Sequence, residues 1–156
     1  EIERLITESW LANYPADVAV TNLGGIRAAI PPGDITLGDI IGVMPFNNVL
    51  VELQMTGAQL ETLLNLGGLA VGGVYRSGAL WYLTATDEKV VRSESYLVLV
   101  NDFMYAGGDD FDFLAVFDPE GYNTAIDWRQ PVIDWITAQN STPDKPIDAA
   151  ISDLIP

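Results

Sequence analysis

Three apolar segments of this chain each end in polar or aromatic residues with glycine nearby, and this pattern constrains the fold most. The first ends in TNLGGIR at 21–27, the second in MPFNN at 44–48, and the third is YLVLV followed by NDFMYAGGDDF at 101–111. Short apolar segments bounded by turn residues are typical of buried strands. The sequence therefore predicts buried strands whose exits are candidates for holding a ligand.

Helical signals lie between these segments. Residues 2–13 carry apolar side chains at helical spacing, which predicts an amphipathic helix. Thr36 with Asp39, and Thr56 with Gln59, resemble capping boxes that begin two further helices.

Alternation of apolar residues predicts a strand over 49–55, and the glycine-punctuated segment 69–86 contains strand-forming residues. A helix is predicted to begin near Asp127, and the Pro- and Asp-rich tail from Ser141 is predicted to be a loosely packed strap. Strands and helices in this irregular order favour a layered α+β fold over a regular βαβ repeat. We find no linker, so residues 1–156 are interpreted as a single domain.

Composition excludes several classes of function. The chain has 22 acidic and 7 basic residues, a net charge of −15, which makes nucleic acids and anionic membranes poor partners. No apolar run is long enough to suggest a membrane span. The chain has no Cys and no His, so it cannot form a disulfide, a Ser-His-Asp triad or a histidine-ligated zinc centre.

The segment TNLGGIR combines groups that could bind an anion or a carbonyl oxygen. Gly24 and Gly25 allow backbone to approach a ligand closely, Arg27 can donate a fork of hydrogen bonds, and Asn22 can both donate and accept. The alternative is a tight turn with a solvated arginine.

The other two exits each offer an aromatic ring. Phe46 and Phe103 could plug the core, or present ring faces to a ligand. Asp109 follows Gly107 and Gly108, and a carboxylate at such a position can accept hydrogen bonds from a pair of hydroxyls such as a ribose diol.

The succession TNLGGIR, PPGDITLGDIIGVMPFNN, TGAQLETLL and NDFMYAGGDDF resembles the C-terminal domain of the 5′-nucleotidase family. Family members show N-x-G-G-I-R, G-D-I-T-x-G-D, L-P-F-x-N, T-G-x-x-L and N-D-F-L-A-x-G-G-D-G in the same order. The resemblance covers most of residues 1–115. It implies an α+β fold in the form of a layered α/β/β/α sandwich with mixed sheets.

The resemblance also implies residue roles. Phe46 and Phe103 match the two rings that sandwich the nucleobase in the family, and Asp109 matches the aspartate that takes the ribose hydroxyls. Asn22 and Arg27 match residues that contact the base and the ribose or phosphate side. Gly24, Gly25, Gly107 and Gly108 complete the expected substrate-binding set.

This sequence departs from the family pattern at several positions. Asp110 replaces a family glycine, and it would be strained if that position has positive φ. Tyr105 is larger than the usual alanine. Asp102 and Asp112 are interpreted as solvated charge.

By resemblance the intact enzyme would hydrolyse nucleotides with two divalent metal ions in an N-terminal metallophosphoesterase domain. That domain is expected to be absent from this chain and to be its partner, so we expect no catalytic residue, no metal site and no activity in the chain alone. The family and the lack of cysteine imply a periplasmic, cell-surface or extracellular bacterial protein. Two alternatives stay open: a structural or binding domain that holds no nucleotide, or the same architecture acting on 2′,3′-cyclic nucleotides or nucleotide sugars.

Overall fold

A mixed five-stranded sheet forms the centre of the protein in the computed structural model, which describes residues 1–154. The strands lie in the order β3-β1-β6-β2-β7. Their bounds are β1 Val18–Asn22, β2 Val49–Thr56, β3 Leu69–Gly72, β6 Ser95–Asn101 and β7 Tyr122–Asp127, and a separate two-stranded sheet pairs β4 Val74–Ser77 with β5 Leu80–Leu83.

Strand direction brings five chain segments to one end of the sheet. β1 runs parallel to β6, whereas β2, β3 and β7 are each antiparallel to the neighbour on which they pair. Asn22 therefore pairs with Leu69 at the start of β3, and Asn101 pairs with Leu50 at the start of β2. We call this end the loop edge; it comprises residues 22–27, 46–49, 68–69, 101–110 and 127–129.

Helices cover both faces of the sheet. Their bounds are α1 Ile2–Asn13, α2 Leu37–Val43, α3 Gly57–Leu64, α4 Asp102–Tyr105, α5 Phe113–Phe117, α6 Gln130–Ala138 and α7 Asp148–Asp153. One apolar core joins α1, α2 and α6 to the sheet through residues such as Trp10 and Leu99. The other joins α3, α5 and the β4–β5 hairpin to the opposite face through residues such as Leu63 and Val98.

Local sequence explains where two of the helices begin. Thr36 Oγ1 accepts from the Asp39 amide and Asp39 Oδ2 accepts from the Thr36 amide at 2.7 Å. Thr56 and Gln59 form the same reciprocal capping box at the start of α3. Both boxes satisfy amides that a helix N-terminus leaves without partners, as the sequence predicted.

The α+β class with a mixed sheet is confirmed, and the strands at 18–22, 49–56 and 95–101 lie where they were predicted. The prediction of a strand before MPFNN was wrong: this segment follows helix α2, which the Thr36–Asp39 capping box begins, and it leads into β2. The last large helix begins at Gln130, three residues after the predicted start, because β7 continues to Asp127. The tail contains the short helix α7, which has no buried residue. Within residues 1–154, no helix is long and apolar enough to cross a membrane.

Candidate functional site

Two buried asparagines organise the loop edge. Asn22 and Asn101 end the parallel strands β1 and β6, and only 4% and 1% of their surface is exposed. Asn101 Nδ2 donates to Thr21 Oγ1 and to Asn22 Oδ1, both at 2.9 Å, and Asn101 Oδ1 accepts from the Met104 amide at 2.8 Å. The buried amides are thereby paired, which stabilises them against the cost of losing water.

Asn22 in turn positions Asp109. Its Nδ2 donates to Asp109 Oδ2 at 2.7 Å, across 87 residues of sequence. Asp109 is exposed, so its carboxylate can accept further hydrogen bonds from a ligand. A Cβ on Gly24 would lie 3.3 Å from the same Oδ2 atom, so glycine there lets the 22–27 loop approach the carboxylate.

The loop that carries Asp109 has an unusual backbone. Gly107, Asp109 and Asp110 all have positive φ, at 91°, 53° and 65°. Aspartate tolerates this conformation better than most residues but less readily than glycine. The conditional expectation for Asp110 is therefore met: the residue occupies a backbone conformation that favours the glycine found in the family pattern.

Phe103 lies on the surface beside this loop, with 44% of its area exposed. A Cβ on Gly108 would overlap the tip of the Phe103 ring. The sequence interpretation assigned Gly108 to ligand approach, whereas the structure places it against Phe103. The absence of a side chain at Gly108 therefore makes room for the Phe103 ring.

Phe46 projects from the connection between α2 and β2 and is 47% exposed. The segment after β7 holds this connection: Trp128 Nε1 donates to the Phe46 carbonyl at 2.9 Å, and Arg129 Nη2 donates to Asn47 Oδ1 at 3.0 Å. The buried Trp128 ring also lies against Gly25, where a Cβ would be 3.0 Å from it. Trp128 thus links the 22–27 loop to the Phe46 connection.

Asp102 is not the solvated charge that the sequence suggested. It is half-buried, and its Oδ1 accepts from Asn48 Nδ2 at 2.6 Å and from the Val49 amide at 3.2 Å. The expectation was wrong because the partners lie 53 and 54 residues away in sequence. Asp112 is exposed, in agreement with its interpretation as solvated charge.

Two arginines lie at the loop edge. Arg27 is exposed, and its Nη1 donates to the Gly24 carbonyl at 3.2 Å. Arg129 donates to both carboxylate oxygens of Asp127, at 3.0 and 2.8 Å. These hydrogen bonds lower the pKa of Asp127 and raise the pKa of Arg129.

The loop edge thus brings together all nine residues that the sequence singled out: Asn22, Gly24, Gly25, Arg27, Phe46, Phe103, Gly107, Gly108 and Asp109. Sequence reasoning gave no role at this edge to Asn48, Asn101 or Trp128, and it interpreted Asp102 as solvated charge. Asn101 carries the same signal as Asn22, a polar residue at the end of an apolar strand.

The chemistry available at this edge is recognition. It offers two exposed ring faces, an exposed carboxylate and an exposed guanidinium, and neither Phe46 nor Phe103 stacks on another aromatic ring within residues 1–154. Over the same described residues, no group of three or more His, Cys, Asp and Glu side chains is arranged to hold a metal ion.

Known proteins are similar to this chain in sequence and in fold. The family model described as "5′-nucleotidase, C-terminal domain" matches residues 1–82. A 5′-nucleotidase of Vibrio cholerae is 30% identical over 150 residues, 88% of this chain and 27% of that protein. The cell wall protein Lmo0130 of Listeria monocytogenes is 31% identical over 156 residues, covering 81% of this chain and 20% of that protein.

Solved structures agree. The crystal structure of a 5′-nucleotidase precursor from Thermus thermophilus superposes with a TM-score of 0.73 at 28% identity, over 88% of this chain and 32% of that one. This chain therefore spans about a quarter to a third of the length of these nucleotidases. The family model matches more than half of this chain. The chain therefore belongs to the 5′-nucleotidase family and corresponds to the C-terminal domain of its members.

Proposed function

We propose that this chain binds the nucleoside part of a nucleotide and confers substrate specificity on a 5′-nucleotidase-type phosphoesterase. The observation that carries the proposal is that Phe46 and Phe103, both about half exposed, lie on separate segments of one sheet edge, and that the exposed Asp109 lies on the same segment as Phe103. The base would lie between the two rings, and the ribose hydroxyls would donate to Asp109.

The energetics of stacking support this reading. Each aromatic ring stacked on a base contributes about 1–3 kcal/mol and tolerates different bases, because every base has a flat π face. Such binding needs no basic surface, which fits a chain with a net charge of −15. The expectation that DNA and RNA are not partners rests on the same charge.

Asp109 is suited to the ribose diol because its geometry is already fixed. Asn22 Nδ2 occupies one lone pair of Oδ2, and a carboxylate has about four acceptor positions. The remaining positions can accept from two vicinal hydroxyls without moving the side chain. Arg27, exposed on the adjacent loop, would face the ribose or phosphate side.

Hydrolysis itself would need other residues. By family resemblance two divalent metal ions in an N-terminal domain would activate water and neutralise the charge on the phosphate. The residues described here do not fit such a centre, since they include no histidine and no cluster of metal-binding side chains. We therefore propose that the chain alone does not hydrolyse nucleotides, and that its catalytic partner is the N-terminal domain of the same enzyme.

We also propose that the protein acts outside the cytoplasm of a bacterium, in the periplasm, at the cell surface or in the medium. The support is its similarity to a protein described as a cell wall protein, together with the absence of cysteine.

Calorimetric titration of adenosine into the 156-residue chain tests the binding proposal. Phe46→Ala and Phe103→Ala should each raise the Kd by about tenfold, because each removes one stacking face. Tyr122→Ala is the matched control, since Tyr122 is an aromatic residue, 61% exposed, at the start of β7 and away from the loop edge.

Unchanged affinity in both phenylalanine variants would rule out the sandwich. A parent chain that binds no adenosine would favour the other candidate, a structural domain in which Gly24, Gly25 and Gly108 serve only to pack the loops together. That candidate has support in the close contacts these glycines make with Asp109, Trp128 and Phe103.

A further inference from the structure

One carboxylate connects the two segments that carry the exposed phenylalanines, the α2–β2 connection and helix α4. Asp102 directly precedes Phe103, and Asn48 follows Phe46 by two residues. Asn48 Nδ2 donates to Asp102 Oδ1 at 2.6 Å, and the Val49 amide donates to the same oxygen at 3.2 Å. The backbone segments from which the two rings project are therefore tied together within a few residues of each ring.

Other hydrogen bonds fix the two segments that the Asn48–Asp102 hydrogen bond joins. Asn101 Oδ1 caps α4 by accepting from the Met104 amide, which fixes the start of the helix that contains Asp102 and Phe103. On the other side, the Trp128 amide donates to the Asn48 carbonyl at 3.1 Å, and Trp128 Nε1 donates to the Phe46 carbonyl. The Asn48–Asp102 hydrogen bond thus joins two segments that are each already held in place.

The spacing of two stacking rings has a narrow tolerance. Favourable contact between carbon atoms lies at about 3.5–4.0 Å, so a base with a ring on each face needs ring planes about 7–8 Å apart. A gap that is wider by about 0.5–1 Å on one side loses a quarter to a half of that contact. A device that fixes the separation of the loops would therefore affect affinity directly.

We propose that Asp102 is a positioning residue, which through Asn48 sets the separation between the Phe46 and Phe103 rings. The inference rests on the proposed function, because it assigns Asp102 a role in the same nucleoside site. Asp102 does not touch the nucleoside; it acts on affinity through the two rings.

A double-mutant cycle separates this role from a purely structural one. Adenosine affinity is measured for the 156-residue parent, Asp102→Ala, Phe46→Ala and the double variant Phe46→Ala/Asp102→Ala. Asp102→Ala should raise the Kd by about three- to tenfold in the parent but by less than about twofold when Phe46 is already absent. A general loss of stability would raise the Kd by the same factor in both backgrounds, and that result would overturn the proposal.

Two further variants complete the design. Asp102→Asn retains the acceptor oxygen and should restore the affinity to within about twofold of the parent value. Asp112→Ala is the matched control, because Asp112 is an exposed aspartate close by in the chain, and its Kd should equal that of the parent. If Asp102→Ala fails to fold, Asn48→Ala removes the same hydrogen bond from the other loop and enters the same cycle.

These measurements test the role of Asp102 separately from the nucleoside site itself. Weakened binding in Phe46→Ala and Phe103→Ala together with parental affinity in Asp102→Ala would overturn the role of Asp102 and leave the nucleoside site in place. Parental affinity in both phenylalanine variants would overturn the nucleoside site itself, and the role of Asp102 with it.

Discussion

At the scale of single residues, the glycines of the loop edge are explained by the side chains they contact. Gly24 faces the Asp109 carboxylate, Gly25 faces the Trp128 ring and Gly108 faces the Phe103 ring. At Gly24 and Gly25 the missing Cβ allows loops from different strands to meet, and at Gly108 it allows the segment after β6 to fold back onto its own Phe103. These glycines therefore shape the site through close packing.

Gly108→Ala should impair the site more than the fold. The added Cβ would overlap the Phe103 ring, and because that ring is 44% exposed it can rotate toward solvent at small cost. We expect the Kd for adenosine to rise by about tenfold while the free energy of unfolding changes by less than about 1 kcal/mol.

Gly67→Ala is the control for this substitution, because no atom lies within 4 Å of a Cβ at Gly67 and the residue does not require positive φ. Isothermal calorimetry gives the Kd and urea unfolding gives the free energy. Parental affinity in Gly108→Ala would show that Phe103 does not need its present position to bind adenosine.

At the scale of secondary structure elements, β7 and the residues after it hold the Phe46 connection against the sheet. Val49 pairs with Asp127, and the Trp128 amide donates to the Asn48 carbonyl. Arg129 bridges Asp127 and Asn47 with its side chain. The end of one edge strand thus determines where a loop 80 residues earlier lies.

The ion pair at the end of β7 predicts a pH dependence of stability. Hydrogen bonds from Arg129 lower the pKa of Asp127 below its ordinary value of 3.8. A lowered folded-state pKa means that the pair stabilises the protein above that ordinary value. The stabilisation is lost as the pH falls through the lowered pKa.

Arg129→Gln should therefore destabilise the protein at pH 7 and lose less stability than the parent as the pH falls from neutral through the ordinary Asp127 pKa of 3.8 and below it. The loss is small, because about half of the Asp127 side chain is exposed and solvent screens the pair. Urea unfolding across this pH range measures it. Arg76→Gln removes an exposed arginine stacked near Trp81, 5.8 Å from the ring centroid, and its pH profile should run parallel to that of the parent. If the pH profile of Arg129→Gln also ran parallel to that of the parent, the Arg129–Asp127 pair would not contribute to the pH dependence of stability.

The sequence could predict the features that depend on residues close together in the chain, but not those that depend on contacts between distant residues. The capping boxes at Thr36 and Thr56 and the apolar strands were predictable because their signals lie within a few residues. The strand β7 was not predicted, since half of its residues are polar and its pairing with β2 is a tertiary contact.

The candidate site divides in the same way. Phe46, Phe103 and Asp109 could be proposed from the sequence because they stand in local motifs, Phe46 between α2 and β2 and the other two after β6. Asp102 and Trp128 were missed, since their partners Asn48 and Phe46 lie 54 and 82 residues away. No local pattern encodes which loops meet at a sheet edge.

At the scale of the whole molecule, the mixed sheet is the device that assembles the site. The parallel strands β1 and β6 both end at the loop edge, β2 begins there, and β7 ends there. Asp109 and Asp110 are exposed at this edge of a chain whose net charge is −15. A nucleoside, which is neutral, can approach such an edge without repulsion, whereas the phosphate of a nucleotide would be oriented away from the carboxylates.

Nuclear Overhauser effects between adenosine and the phenylalanine rings would show whether a base lies between Phe46 and Phe103. The chain is deuterated except at the phenylalanines and saturated with adenosine. We predict cross-peaks from the base protons to the ring protons of both Phe46 and Phe103, each disappearing when its own residue is changed to alanine. Binding of adenosine without cross-peaks to either ring would show that the base does not lie between Phe46 and Phe103.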